Sequence, residues 1–555
     1  MIGPDPNLPS RYGTVLGQGL EIKPGLISLD FQQAMFDEMA TTLFTGGPLF
    51  MRTLNDLQLT SQGLEQCAGY ELINPTALTN TIRNISDFDN STVPSEYVPK
   101  PIVLSLTNNA GELNVYDWDG TQFQLRGVIT PGTTAVTGDG SFVQYGLVSY
   151  LAVNTNGSLS IQSKVYGANY ATAAGTPPTA SAIMQLGNRL VALAAANDAS
   201  KAQWTDNGNY DLWTGTSSGS AIVLPEGFFN DQNPMIVGSL VEQGALIFRR
   251  NTIVLMSVTG QSAAPFRFAT IIPGLGIAGK QAVARTSLCR GLFFVTNGYS
   301  VMYYDNGQLQ DLSYPIRYSI QQTGASSVTL AIDEANADLW LMVQSHTMTL
   351  FRLNLNEFLE RKRILWNKVD TSSLTAIGGT DTVDTIGAVF SPANISQDIL
   401  TEGGVELLTE AGVILVTDIP FVSTLKNLWI ACSNFKIVGT KYSTIASTAV
   451  SETVDMRVSG EEVTIDRFRL IGYNYTGITP SPVNVAFSMD SGVTWSTTTT
   501  FTPNSNKGFQ LFDGTLNLTG KFIRIRFGMP TAVSARTFAV QRMELLVNDR
   551  GRGTN

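Results

Sequence analysis

The chain has 555 residues, 43% of them hydrophobic and 14% charged, which suffices for several ordinary domains or for one large all-β body with appendages. Its formal net charge of -10 repels polyanions over the surface as a whole, so nucleic-acid binding would need a local basic patch. A single histidine, His346, is the only imidazole available to a Ser-His-Asp or Cys-His centre, and histidine-based metal sites are excluded for the same reason.

In chain order, the segment "MIGPDPNLPSRYG" carries neither a basic nor an apolar leader region, and no run of 18 apolar residues follows anywhere; the expectation is a chain made and folded in cytoplasm without a membrane span. "SLDFQQAMFDEMATTLF" predicts a short helix capped by Asp30, with Phe31, Met35, Met39 and Leu43 on one face, inside an N-terminal arm over residues 1–66. Cys67, Cys289 and Cys432 lie far apart and outside any C-x-x-C pattern, so buried free thiols are expected rather than disulfides or zinc.

Beyond residue 66 the hydrophobic period changes to two. "ELNVYDWDGTQFQLRG" predicts two strands around an Asp119-Gly120 turn, and "SVMYYDNGQLQDLS" repeats its aromatic pair, acid, glycine and Gln-x-Gln. Between them "AIMQLGNRLVALAAAN", "ALIFRRNTIVLMSVTG" and "GLFFVTNGYSVMYYDNG" each place a polar turn between two apolar strands, and "ADLWLMVQSHTMTLFRLN" continues the series, with His346 at its turn. Hairpins at this frequency without intervening helices predict an all-β, β-propeller-like body of antiparallel meander blades over 67–430. Within it the densest basic cluster, Arg361, Lys362 and Arg363, is expected to be a solvated turn, and the tandem Leu-Thr-Glu-Gly/Ala-Gly of 399–417 a hairpin ribbon. Residues 431–555 predict a β-sandwich-like region or closing blades: "KFIRIRF" alternates Phe522, Ile523, Ile525 and Phe527 with Arg524 and Arg526. There "SMDSGVTW", Ser488 to Trp495, has the Asp-box pattern, in which the acid and glycine shape a turn and the tryptophan packs.

"IIPGLGIAGKQ" contains G-x-G-x-x-G and ends in Gly-Lys. A dinucleotide fingerprint needs a following helix, a parallel strand and an acid about 20 residues on. The equivalent position here falls in "NGYS", and Gln281 stands where a phosphate loop needs Ser or Thr. Gly274, Gly276 and Gly279 are therefore expected to form a strand-to-strand crossover between blades. No residue is assigned a catalytic, cofactor-binding or metal-binding role.

The succession from 183 to 317 carries a resemblance. Trp204, Asp206 and Trp213 bracket a turn; Ile253-Val254-Leu255-Met256 ends a strand pair; Phe266 and Phe268 form a Phe-x-Phe; the glycine crossover and a Tyr-Asp-x-Gly hairpin follow. This order resembles the packaged-DNA stabilization proteins, or tail hubs and nozzles, of short-tailed bacteriophages, over roughly residues 100–370 and more loosely to the C-terminal "ELLVNDRGRGTN". The N-terminal helix segment and residues 67–100 depart from that pattern. The resemblance implies a non-enzymatic virion protein forming a homohexameric ring. Its partners would be the portal–adaptor complex above, tail fibre, spike or needle proteins below, and double-stranded DNA sliding through the lumen without sequence-specific binding. A different function class, a carbohydrate-binding or glycan-degrading propeller, would instead turn the Asp-box hairpin and aromatics such as Trp118 and Trp213 toward a glycan.

Overall fold

The computed structural model describes residues 25–32, 35–36, 50–55, 57–67, 69–88, 100–107, 112–130, 140–153, 159–223, 234–262, 264–322, 327–344, 348–375, 377–390, 397–398, 416–417, 425–441, 449–453, 456–457, 463–475, 477, 479–490, 492–520, 522–529 and 538–549. These residues fall into two units. One comprises 68–363 and 369–445, and the other the described residues up to 67, Ile364–Lys368 and those from 446 onward. The expected boundary after residue 430 therefore falls inside a strand, Lys426–Cys432, and the first and last segments of the chain belong to one unit instead of two.

The larger unit is a β-propeller with seven blades among the described residues. Blade 1 runs Ile82–Ser86, Ile102–Leu106, Leu113–Trp118 and Phe123–Ile129. Blade 2 follows with Gly140–Tyr145, Val148–Val153, Gln162–Val165 and Ala171–Thr172, and blade 3 with Ala182–Leu186, Arg189–Leu193, Lys201–Trp204 and Gly219–Ile222. Blade 4 is Val237–Val241, Gly244–Phe248, Thr252–Val258 and Phe266–Pro273; blade 5 is Val283–Arg285, Leu292–Val295, Val301–Asp305 and Gln308–Asp311. Blade 6 contributes Ser327–Asp333, Asp338–Gln344 and Met348–Asn354 within this unit. Blade 7 is built from Val383–Phe390, Lys426–Cys432 and Ile437–Lys441, and its outermost strand, Gly69–Leu72, comes from before blade 1. That pairing, Val438 with Leu72 through Lys441 with Gly69, ties the two ends of the propeller chain together and closes the circle.

Each blade buries its faces against its neighbours. Trp118, Tyr116 and Ile85 of blade 1 pack with Trp429 and Ile437 of blade 7, with the Trp118 and Trp429 rings 5.8 Å apart. Leu104 and Val115 meet Leu151 of blade 2, and Tyr150 of blade 2 meets Leu190 of blade 3. Val191 and Met184 then pack on Ile247 and Met256 of blade 4. Phe248 tilts onto Phe294 of blade 5 at 5.1 Å, Tyr303 of blade 5 meets Phe358 edge-on at 5.2 Å just after blade 6, and Trp340 and Met342 of blade 6 pack with Ile430 and Val438 of blade 7. Non-directional apolar burial of this kind, repeated around the circle, is what holds flat meander sheets face to face.

The two hairpins that echo each other in sequence occupy the same place, the third and fourth strands of blades 1 and 5. Their turns differ. Asn306 and Gly307, at φ 48° and 89°, form the two-residue turn expected of Asn-Gly. In blade 1 the apex is one residue later than expected: Asp119 N–H donates to Gln122 O, so Gly120 and Thr121 are central, and the Asp119 carboxylate accepts from the N–H groups of Thr121 and Gln122. An acid that caps its own turn is better placed before the apex than on it.

The smaller unit is a β-sandwich. One sheet is ordered Leu57–Thr60, Gly63–Gln66, Phe538–Asp549, Val463–Asn474 and Gly508–Gly520, with Gly25–Asp30 also on Phe538–Asp549. The other contains Phe50–Asn55, Ala449–Thr453, Phe522–Met529, Val483–Ser488 and Thr499–Phe501. Rings interlock between the sheets: Phe468 lies 4.9 Å from Phe487 and 5.5 Å from Phe501, and Phe31 is edge-on to Phe527 at 5.1 Å. Ile523, Ile525 and Phe527 are fully buried, as their alternation with arginines predicts.

The helix predicted over "SLDFQQAMFDEMATTLF" does not form where the segment is described. Gly25–Asp30 is a strand paired antiparallel with Arg542–Val547, and Met35–Phe36 is a second strand. The strand takes in Ser28–Asp30, the start of the segment, and Phe31, one of the four residues assigned to the helix face, is buried in the sandwich instead. Met39 and Leu43 lie outside the described residues, as do His346 and residues 399–415 of the ribbon. The base of that ribbon is a strand pair, Gln397 with Thr417 and Asp398 with Val416.

Candidate functional site

The first strand of every blade is paired on one side only, by the second, so seven free strand edges converge on the propeller axis. Convergence crowds them, and glycine relieves the crowding at two points: a Cβ on Gly238 would lie 2.2 Å from Met184 Sδ, and one on Gly387 2.8 Å from Ile85 Cβ. Around the axis they enclose a cavity of about 580 Å³ lined by residues of all seven inner strands.

The glycine crossover leads directly to this cavity. Gly274 has φ 78°, and a Cβ on Gly276 would overlap Arg250 O at 1.9 Å, so the chain passes against blade 4 only because these residues lack side chains. Ile277 then bridges to Thr296, and the inner strand of blade 5 begins at Val283 with no helix between. The expected crossover is what forms. Gln281, which disqualified the segment as a phosphate loop, reaches into the axis. Its Nε2 donates to Arg83 O of blade 1 at 3.1 Å, while its Oε1 accepts from Thr329 Oγ1 of blade 6 at 3.1 Å and Thr385 Oγ1 of blade 7 at 3.4 Å. One side chain thus links four consecutive blades around the circle.

Further hydrogen bonds join inner strands directly. Asn84 Nδ2 donates to Gly140 O at 2.8 Å, and Ser141 Oγ donates to Ile183 O at 3.0 Å. Among the described residues, the charged ones that line the cavity are Lys280, Arg285 and Lys426. Lys426 Nζ stands 3.5 Å from Asp87 Oδ2. Glu334, just behind, accepts from Thr286 Oγ1, Ser287 N–H and Lys426 N–H. Burial raises its pKa, but the hydrogen bonds led by Ser287 N–H outweigh burial and hold the carboxyl below its ordinary value. Asp384 behaves oppositely: burial pushes its carboxyl up, against the Ile82 N–H it accepts.

Away from the axis, charge is buried as structure. Asp117 of blade 1 pairs with Lys164 of blade 2, both side chains fully buried, and accepts Gly167 N–H at 2.9 Å. Burial lowers the Lys164 pKa, and the Asp117 charge opposes that shift. The basic cluster Arg361, Lys362 and Arg363 is the turn that ends the helix Leu355–Arg361, with Arg361 and Lys362 exposed as expected and Lys362 at the left-handed cap; Arg361 and Arg363 in addition face the buried Glu357, at 3.8 and 3.1 Å.

Other sequence candidates are placed as follows. Trp118 and Trp213, offered as glycan-facing aromatics, are buried at blade interfaces with 7% and 2% exposure; a ring needed to seal a blade cannot also be displayed. Asp206 accepts from Ser217 N–H at 3.1 Å and so closes the long turn that seats Trp213. In the Asp box, Gly492 N–H donates to Ser488 Oγ, Thr494 N–H and Oγ1 donate to Asp490, and Trp495 stacks at 3.8 Å on the Arg526 guanidinium of a neighbouring strand. Cys432 is buried as expected, whereas Cys67 and Cys289 are half-buried; none of the three is in a disulfide. No group of three or more metal-binding side chains gathers among the described residues, and no helix among them is long and apolar enough to cross a membrane. Sequence reasoning missed Gln281, Arg285 and Lys426 as axial residues. For Gln281 and Arg285 the available signal was positional, since the residues after an inter-blade glycine crossover open an innermost strand; Lys426, at the start of the second strand of blade 7, carried no such signal.

No protein-family model matches the chain, and no curated protein matches it either. Among solved structures it is similar to a functionally unknown protein from Desulfotomaculum acetoxidans DSM 771, at 10% identity and TM-score 0.34 over 53% of this chain and 88% of that one. It is also similar to the RRP9 WD40 repeats, at 8% identity and TM-score 0.36 over 67% and 99% of the two chains. An exo-beta-1,3-galactanase from Phanerochaete chrysosporium aligns at 12% identity and TM-score 0.26 over 86% and 100%. At such distances the propeller assignment stands on the blades themselves.

Proposed function

We propose that this chain is a structural virion protein, the tail hub or nozzle of a short-tailed bacteriophage. In this reading it forms a ring of six copies that continues the DNA channel below the portal and adaptor, retains the packaged genome and lets it leave. The observation that carries the reading is the ordered set of motifs from Trp204 through the Gly274–Gly279 crossover to the Asp305-Asn306-Gly307 turn, which resembles that family in succession and not only in kind. Its placement supports the reading: every one of these motifs serves blade architecture, and none is spent on a reactive pocket.

The axial cavity sets the geometry of such a ring. A cavity of about 580 Å³ is the size of a small-ligand pocket and does not hold a duplex. The conduit is instead the space bounded by several copies, and the acidic excess of the chain faces it. Cationic walls would neutralise phosphates, release counterions and hold the genome back. Purified chain mixed with an adaptor–portal complex and imaged by negative stain is expected to add a six-fold ring beneath the adaptor. A protein that stays monomeric and unattached, or that turns over a glycan, overturns the reading. An electropositive bore tracking phosphates in a cryo-EM map of the ring overturns the acidic wall.

A further inference from the structure

We infer that the axial cavity of the propeller is a binding site for a small multivalent oxyanion, a phosphate- or carboxylate-bearing molecule. The chain is acidic overall, yet among the described residues every charged one lining the cavity is a cation: Lys280, Arg285 and Lys426. Arg285 carries the inference. It ends the inner strand of blade 5, is exposed, and has no carboxylate partner among the described residues.

The nearby acids do not compete for it. Asp87 stands against Lys426, Glu334 is taken up by the donors of Thr286, Ser287 and the Lys426 backbone, and Asp384 accepts the Ile82 N–H. None of the three lines the cavity. A recess walled by one sign of charge focuses its field and concentrates counter-ions, and the guanidinium presents a planar fork of donors suited to two oxygens of one oxyanion. Ser239, on the inner strand of the adjacent blade 4, adds a neutral donor. A volume of about 580 Å³ lies within the few hundred to one thousand Å³ typical of small-ligand pockets, which selects a compact polyanion and excludes a nucleic-acid duplex.

The inference is independent of the virion reading, since a propeller of any function would present the same recess. Isothermal titration of the full chain with inorganic tripolyphosphate and, separately, with citrate tests it and separates the phosphate from the carboxylate source. Saturable one-to-one binding of at least one is expected, weakened about tenfold or more by Arg285→Gln, retained in part by Arg285→Lys and unchanged by Arg469→Gln, whose side chain pairs with Asp513 in the other unit. Thermal unfolding of Arg285→Gln at the wild-type temperature shows that the loss is not a loss of fold. Failure of both anions to bind, equal binding by Arg285→Gln, or full competition by duplex DNA each overturns the inference.

Discussion

The propeller and the sandwich solve the same problem, burying one face of many antiparallel strands, with opposite uses of the chain. In the propeller, among the described residues, almost every pairing is between consecutive strands, and the long-range pairing of Gly69–Leu72 with Ile437–Lys441 closes the circle. In the sandwich the central strand Phe538–Asp549 pairs with Gly25–Asp30 and Gly63–Gln66 from the other end of the sequence, so nearly the whole propeller sequence lies between strands that pair. Local pairing makes each blade legible and repairable by itself, whereas the sandwich requires both chain ends at once.

Substitutions in the two cores separate these behaviours. Trp340→Ala removes a fully buried ring from the contact between blades 6 and 7, next to the closing strand, and is expected to cost about 4 kcal/mol. In guanidinium unfolding followed by two probes, the propeller transition should move and the sandwich transition should hold; coincident shifts would mean that the units unfold as one. Phe468→Ala, which empties the ring cluster between the sandwich sheets, is expected to cost about 3 kcal/mol and to move the other transition. Gln281→Ala sharpens the comparison within the propeller. It leaves Thr329, Thr385 and Arg83 O without their shared partner and should cost about 1–2 kcal/mol, read as faster amide exchange on the inner strands of blades 5–7.

The smallest effect lies in the sandwich turn at Asp490, whose carboxyl is held down to about 2 by the Thr494 hydroxyl, then the Thr494 N–H and Ser488. A depressed folded-state pKa means that its contribution is present above the unfolded value near 4 and is lost as pH falls through about 2. An NMR titration of the Thr494 amide is expected to show its midpoint near that value. A midpoint near 4 would remove Asp490 from the turn.

Much of the propeller is visible before folding because its signals are short-range: apolar strand, polar turn, apolar strand, with glycine where a turn or crossover requires it. The echo between residues 113–129 and 301–311 marks one blade position twice. The sandwich is less legible. Phe31, Met35, Met39 and Leu43 carry a helical period, while Gly25–Asp30 just before them pairs with a strand more than 500 residues away that no local signal announces. Trp118 and Trp213 show the same limit: an aromatic beside a turn looks alike in sequence whether it is displayed or seals a blade.

Composition and period-two patterning determined by themselves that this protein is an all-β assembly of hairpins, and the Gly-x-Gly-x-x-Gly run with Gln281 determined that the segment is no phosphate loop. The tertiary structure alone decided the number of blades, the strand that closes them, and the gathering of Lys280, Arg285 and Lys426 around one axis. The reason is physical: hairpin formation depends on neighbours within about ten residues, whereas ring closure and the field at an axis depend on where strands from the whole length of the chain converge.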